Sequence, residues 1–191
     1  IDASLTVFRD YLSLPEQQRP GSIQEQELLL TVEALNRRSL AFLTSYALLD
    51  SDGAIIYDTI PSQIGTSEAS QDHFRLPIRS GQIYVSPVQF ASWNTDPYIY
   101  FSSPIFNDDN QVLGVLRLRY SGKVFQRLLD QNINLRGVRS YPILLDENYI
   151  RLADTITPSM IFRALAPLTQ QQITALRRER RIPIFYADEL L

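Results

Sequence analysis

The hydrophobic pattern divides the chain into an N-terminal helical part and a longer part made mainly of strands. Apolar residues recur at helical spacing over the first turns and stop before Pro15. A second helix is predicted to follow Ser22, because Ser22 and Glu25 have the spacing of a capping box, in which two side chains satisfy backbone amides at a helix start. We therefore predict a helical arm over residues 1–43.

The second predicted helix carries an apolar stripe of Leu28, Val32, Leu35 and Phe42. A stripe of this kind packs on its own domain or, where two chains meet, forms the seam of a coiled coil or dimer. The sequence leaves both interpretations open.

Alternating and apolar runs after residue 43 predict five strands, over 44–49, 54–59, 83–91, 98–106 and 112–120. The first two flank Asp50-Ser51-Asp52-Gly53, which is typical of a tight turn. A calcium loop is the alternative for Asp50 and Asp52, but the ligand spacing of an EF-hand is absent. Segment 61–72 is polar and predicts a loop, and 123–131 predicts a short helix. Strands without alternating helices indicate a mostly antiparallel α+β fold.

A repeat at an offset of 96 residues is the most informative feature. Residues 48–60 (LLDSDGAIIYDTI) and 144–156 (LLDENYIRLADTI) are identical at six of thirteen positions, without a gap. Strand–turn–strand segments can converge on similar residues, but self-similarity at a fixed period indicates duplicated units. Fewer residues follow the second copy than the first, so we predict two modules, of which the second is incomplete.

A last helix is predicted to start at Thr169. Four arginines near its end are interpreted as solvated charges that suit the helix dipole, with a membrane-surface or nucleic-acid role as the alternative. They are Arg177, Arg178, Arg180 and Arg181.

Composition excludes several classes of function. The 191 residues include no cysteine, which removes disulfides, thiol catalysis and cysteine-based metal sites. The net charge of −3 argues against a nucleic-acid partner. No serine-hydrolase elbow, zinc-protease motif or glycine-rich phosphate loop occurs, so we predict no enzyme, no catalytic residue, no metal and no cofactor. No apolar run reaches the length of a membrane span, so a membrane would be met only through flanking helices absent here.

Six further observations concern short segments that follow one another in a fixed order, namely 48–59, Ile64-Gly65, 71–74, 80–87, 101–105 and 112–116. Together they resemble the double-Cache (dCache) family of sensor domains, which are tandem PAS-like modules on a long N-terminal helix. The resemblance runs from about Leu5 to Leu168 and is strongest over 46–120.

The resemblance implies an arm at 1–43, a membrane-distal PAS-like module at 44–122 with a five-stranded antiparallel sheet, a connecting helix or linker at 123–137 and a truncated membrane-proximal module at 138–191. It implies the extracytoplasmic (periplasmic or extracellular) small-molecule sensing domain of a bacterial transmembrane signalling receptor: a histidine kinase of a two-component system, a chemoreceptor or a cyclic-nucleotide enzyme. Such a receptor would be a homodimer. The alternative is a non-binding structural or dimerisation spacer.

The sequence departs from the amino-acid-binding members of that family. They carry an arginine followed by Trp-Tyr, and an aspartate late in the final strand. The corresponding positions of this chain are Gln71, His73, Phe74 and Arg119. The groups that meet an amino acid's carboxylate and ammonium are both missing. We therefore expect a small anionic or hydroxyl-rich ligand, because arginine can grip a carboxylate in two bonds.

Eight residues are predicted to line the ligand site. The alternatives are a structural role for the single histidine, core packing for the tyrosines and a solvated sheet face for the arginines. Trp93, in a polar loop, would cover the pocket or pack at its edge. The predicted site residues are His73, Tyr84, Ser86, Tyr98, Tyr100, Ser102, Arg117 and Arg119.

Overall fold

A computed structural model describes residues 2–37, 41–90, 96–134 and 137–183. The chain forms two compact units, the first made of Ile1–Ser86 with Tyr100–Tyr120 and the second of Pro87–Ile99 with Ser121–Leu191. The end of the predicted strand at 83–91, Trp93 and residues 184–191 lie outside the described residues. The predicted module boundaries stay a prediction.

Two helices form the N-terminal arm, α1 (Asp2–Ser13) and α2 (Ile23–Arg37). The two helices predicted from the residues are confirmed, and the long N-terminal helix implied by the resemblance is interrupted, because Pro15 follows α1 and disfavours a continuing helix. Arg19 lies between the helices, and its guanidinium donates to the Leu12 carbonyl at 3.0 Å, which satisfies a backbone group at the end of α1.

The start of α2 has the predicted cap with one difference. Ser22 Oγ accepts the Glu25 N–H at 3.0 Å, as a capping box requires. The Glu25 carboxylate reaches one residue further back than expected and accepts the Gly21 N–H at 2.6 Å.

The apolar stripe of α2 packs inside the first unit. Leu28 and Val32 are 2% and 1% exposed and join Phe8 and Leu48 in one hydrophobic core. Phe42 lies beyond the end of α2. The interpretation of this stripe as a seam between chains is therefore wrong for Leu28 and Val32.

The main sheet has the strand order β2-β1-β6-β5-β3, with β4 paired to the start of β5, and the described pairs are antiparallel. The predicted run at 83–91 is divided into β3 and β4, since Pro87 has no N–H to give to a strand ladder. The strands are β1 (Leu43–Asp50), β2 (Ile55–Asp58), β3 (Tyr84–Val85), β4 (Gln89–Phe90), β5 (Pro97–Phe106) and β6 (Val112–Ser121).

A helix that the sequence pattern did not predict covers the other face of this sheet. It is α3 (Asp72–Ser80), and it ends at Gly81, whose φ of 65° is the left-handed cap typical of glycine. Phe74 of α3 packs against Leu49 and Val115. In the first unit the sheet thus has α1 and α2 on one face and α3 on the other.

The second unit contains two further helices and a hairpin, α4 (Lys123–Asp130), β7 (Ile143–Leu145), β8 (Arg151–Asp154) and α5 (Gln170–Arg178). The predicted start of α5 is confirmed, because Thr169 and Gln172 form a full capping box. The hydrophobic core of this unit joins α5 to the hairpin through Ile150, Ile173, Leu176 and Ile182.

The two hairpins are built alike. The pairing of β7 with β8 reproduces that of β1 with β2 at an offset of 96 residues, including one register irregularity. The Asp50 carboxylate accepts the backbone N–H groups two and four residues later, both at 2.9 Å. Asp146 does the same at 2.8 and 2.9 Å. These bonds account for the repeated aspartate as turn chemistry.

The interpretation of the terminal arginines as solvated charges is wrong for Arg181. Its side chain is buried and donates to Asp146 Oδ2 at 2.9 Å and Glu147 Oε1 at 2.8 Å, so it ties the end of α5 to the second hairpin turn.

Candidate functional site

A buried arginine is the centre of a polar cluster on the α3 side of the main sheet. Arg117, on β6, is 0% exposed. Its Nη1 donates to Ser45 Oγ at 2.6 Å, and its Nη2 donates to Asp58 Oδ2 at 3.0 Å. Its Nε and Nη2 also donate to Glu68, at 3.2 Å to Oε2 and 3.1 Å to Oε1. These bonds satisfy a charge that would be very costly to bury alone.

Glu68 comes from the connection between β2 and α3, and the first hairpin holds it in place. Its backbone N–H donates to the Gly53 carbonyl at 2.8 Å. Gly53 has a φ of 84°, and a Cβ at that position would lie 2.7 Å from the Ala69 Cα. Only glycine therefore lets the segment around Glu68 approach the turn so closely.

The carboxylate of Glu68 also meets His73, the first-turn residue of α3 predicted to bind the ligand. His73 Nε2 lies 2.9 Å from Glu68 Oε2. Burial alone would raise the pKa of Glu68, but the bond to His73 and the charge of Arg117 outweigh it and lower that pKa from 4.5 to about 2. Glu68 is therefore ionised at neutral pH.

Tyr100 and Arg119 extend the cluster along the sheet. The rings of Tyr100 and His73 are stacked, with centroids 4.2 Å apart and an angle of 18° between planes. Burial raises the pKa of Tyr100, while the nearby guanidinium of Arg119 acts in the opposite direction. Arg119 is 5% exposed and donates through Nε to Thr44 Oγ1 at 3.3 Å. Neither predicted arginine therefore lies on a solvated sheet face.

The structure brings together four of the eight predicted site residues, which are His73, Tyr100, Arg117 and Arg119. The other four have different surroundings. Ser86 Oγ accepts the Tyr100 N–H at 2.9 Å and so helps to hold the strand, and Tyr84 is half-buried and pairs with Ser102 across β3 and β5.

Ser102 and Tyr98 are the two predicted site residues that differ from the others, Ser102 in its hydrogen bonding and Tyr98 in the compact unit to which it belongs. The Ser102 hydroxyl is buried and has no hydrogen-bond partner among the described residues. Tyr98 belongs to the second unit, where it pairs with Gln89.

Sequence reasoning missed Glu68 and Asp58, the two carboxylates of the cluster. Glu68 lies in a polar stretch without periodicity, so no pattern marked it. Asp58 is repeated in the second copy as Asp154, which was a usable signal. Asp58 and Asp154 each accept the backbone N–H of the residue two positions later, so the repeat at this position reflects turn structure.

The cluster combines one guanidinium bonded to two carboxylates with a second guanidinium, a tyrosine ring and a histidine ring nearby. Polar groups of these kinds are the ones that orient a small molecule in a binding site. In the ranges that the structure describes, no group of three or more His, Cys, Asp or Glu residues is placed to hold a metal ion. Within those ranges, no helix combines the length and apolarity that a bilayer crossing needs.

The solved structures that are similar to this chain include sensor and ligand-binding domains. The sensor domain of the histidine kinase DctB from V. cholerae matches with a TM-score of 0.65 and 18% identity, over 95% of this chain and 64% of that one. An extracellular ligand-binding receptor from Desulfohalobium retbaense matches with a TM-score of 0.62 and 15% identity, over 93% of this chain and 30% of the receptor chain. The ligand-binding domain of the Pseudomonas aeruginosa chemoreceptor PctC, in complex with GABA, matches with a TM-score of 0.57 and 15% identity. The match covers 86% of this chain and 70% of that domain.

The chain has the α+β fold of these sensor domains. It spans 64% of the DctB sensor domain and 30% of the Desulfohalobium receptor chain. No family model matches the sequence, and no curated protein matches it.

Proposed function

We propose that the chain is a small-molecule sensing domain of a transmembrane signalling receptor, and not an enzyme. The observation that carries this proposal is the cluster of His73, Tyr100, Arg117 and Arg119 between α3 and the sheet, in a chain whose solved neighbours are sensor and ligand-binding domains. Binding sites place a few polar groups of this kind on a rigid scaffold.

At finer detail, the proposal is a double-Cache domain outside the inner membrane, with a complete module followed by part of a second. The similar construction of the two hairpins supports a tandem arrangement, and the DctB and chemoreceptor neighbours support a histidine kinase or chemoreceptor as the parent. A homodimeric receptor is part of the same proposal.

The proposed ligand is a small anionic or hydroxyl-rich molecule held between His73 and the sheet face of Arg119. A thermal-shift screen of the purified chain against small metabolites tests this, because a ligand that binds only the folded state raises the melting temperature. A screen rich in carboxylates, sugars and polyols in which no compound raises the melting temperature would contradict it.

Arg119→Ala should weaken binding of a compound found in that screen by roughly 1.5–3 kcal/mol, the scale of a charge-assisted hydrogen bond. Isothermal titration calorimetry measures the change. Arg37, an exposed arginine at the end of α2 paired with Glu33, provides the matched control, and Arg37→Ala should leave affinity unchanged. Equal affinity of the Arg119→Ala variant and the unaltered chain would remove Arg119 from the site.

The second candidate function is a structural spacer without a ligand. The bonding of Arg117 favours it, because Ser45, Asp58 and Glu68 already occupy its donors. The same thermal-shift screen separates the two candidates.

A further inference from the structure

The contacts of Glu68 have the form in which proteins bind the carboxylate of a ligand. Arg117 donates to its two oxygens from two different nitrogens, Nε at 3.2 Å and Nη2 at 3.1 Å. His73 Nε2 meets the same carboxylate at 2.9 Å. Two parallel bonds from one guanidinium give both strength and orientation to carboxylate recognition.

Glu68 differs from the other partners of Arg117 in how firmly the fold encloses it. Its side chain is 17% exposed, whereas those of Asp58 and Arg117 are 0% exposed. Ser45 and Asp58 lie on β1 and β2, within the sheet, while Glu68 belongs to the connection that leads to α3. Glu68 is thus the partner of Arg117 whose side chain can turn away without disrupting a strand, while its backbone stays bonded to Gly53.

The other bonds of Arg117 would persist if Glu68 moved away. Ser45 Oγ and Asp58 Oδ2 would still accept from Nη1 and Nη2. A carboxylate from outside could then take the place of Glu68, and no buried charge would be left without a partner.

We propose that Arg117 and His73 form a carboxylate-binding site, that Glu68 fills this site in the unliganded protein, and that a carboxylate of the ligand replaces it. This inference rests on the proposed sensing function and narrows the ligand to a carboxylate. The exchange releases the Glu68 side chain from Arg117 and His73, so binding changes the contacts at the start of α3. Competition with Glu68 also lowers the apparent affinity, as in any protein whose binding-competent state is only partly populated.

The test is chemical rescue of Glu68→Ala by acetate at neutral pH. Removing the side chain empties the site and leaves the donors of Arg117 and His73, so the melting temperature should fall. Acetate should restore it in a saturable way, by roughly 2–4 °C, and chloride at the same ionic strength should not. Should the variant be unfolded in chloride, acetate should return its circular dichroism spectrum to the folded form.

Two variants separate this site from general salt effects. Glu68→Gln loses the charge but fills the space, so acetate should not raise the melting temperature of this variant. Glu147→Ala removes a 67% exposed carboxylate that binds Arg181 in the second unit, and acetate should have no effect on it either. Equal responses to acetate in Glu68→Ala and Glu68→Gln, or no response in Glu68→Ala, would overturn the proposal.

A binding measurement distinguishes failure of this inference from failure of the proposed function. A carboxylate found in the screen should bind Glu68→Ala more tightly than the unaltered chain, by roughly tenfold, since the competitor is gone. Suppose that a ligand binds the unaltered chain, but acetate does not restore the melting temperature of Glu68→Ala and the ligand binds this variant no more tightly. The sensing function then stands, and the proposed exchange is wrong. Rescue by acetate with no hit in the screen supports the carboxylate site and contradicts the proposed sensing function.

Discussion

Arg117 and Asp58 form an ion pair between two side chains that are both 0% exposed. A buried pair of this kind adds little to stability over an apolar pair, but removing one partner leaves an uncompensated charge and typically costs about 3–5 kcal/mol. The pair links β6 to β2 at the cluster, and each of its members supplies a partner charge to the other.

The pKa of Glu68 makes a specific prediction about acid stability. Because this pKa is lowered from 4.5 to about 2, the stabilisation is fully present above about pH 4.5 and is lost as the pH falls towards 2. The shift corresponds to about 3 kcal/mol. Urea unfolding at a series of pH values should show this loss in the unaltered chain and a weaker pH dependence in Glu68→Gln. Identical pH dependence in both proteins would mean that Glu68 is not held as described.

At the scale of secondary structure, the elements with a clear local pattern were predictable and α3 was not. The strands β1, β2, β5 and β6 follow alternating or apolar runs with turn residues between them. In α3, Pro77 lies inside a nine-residue helix, where it removes one backbone hydrogen bond, so the sequence there is not typical of a helix. Packing of Phe74 on the sheet stabilises this helix in spite of its proline.

The candidate site was predictable to the extent that its residues lie on regular strands or at positions of family resemblance. Tyr100, Arg117 and Arg119 alternate along strands, and His73 is the single histidine of the chain. Glu68 was not predictable, because the contact between residues 68 and 117 depends on the close approach of its loop to the Gly53 turn. Sequence periodicity contains no information about such a long-range approach.

Replacing Gly53 tests whether the hairpin turn positions Glu68. Gly53→Ala would place a methyl group on the Ala69 backbone in addition to straining a φ of 84°. Gly65→Ala is the matched control, because Gly65 has a φ of 83° but nothing within 4 Å of an added Cβ. We expect a loss of about 1 kcal/mol for the control and at least about 2 kcal/mol for Gly53→Ala, from denaturant unfolding. Equal losses would contradict the close approach.

At the scale of the whole molecule, the two compact units share one construction principle. Each contains a hairpin with the same register, an aspartate that bonds its own turn and a helix that packs on the hairpin. The units differ in what the turn region does next. In the first, the segment after the hairpin brings Glu68 to a buried arginine of the sheet, and in the second, Arg181 comes to the hairpin turn itself. The two hairpins thus share their register and turn bonding, and the polar cluster belongs to the first unit alone among the described residues.

The assembly of the chain gives the last prediction, which concerns two leucines of α2. Leu28 is 2% exposed in the core of the first unit, whereas Leu30 is 66% exposed. Leu28→Ala should therefore lower the free energy of unfolding by about 2–5 kcal/mol and leave the association state unchanged, because its side chain already packs within the chain. Leu30→Ala should change stability by less than about 0.5 kcal/mol. Sedimentation equilibrium with denaturant unfolding measures both quantities. Loss of self-association in Leu28→Ala at unchanged stability would restore the seam interpretation, since only a residue that packs against a second chain gives that result.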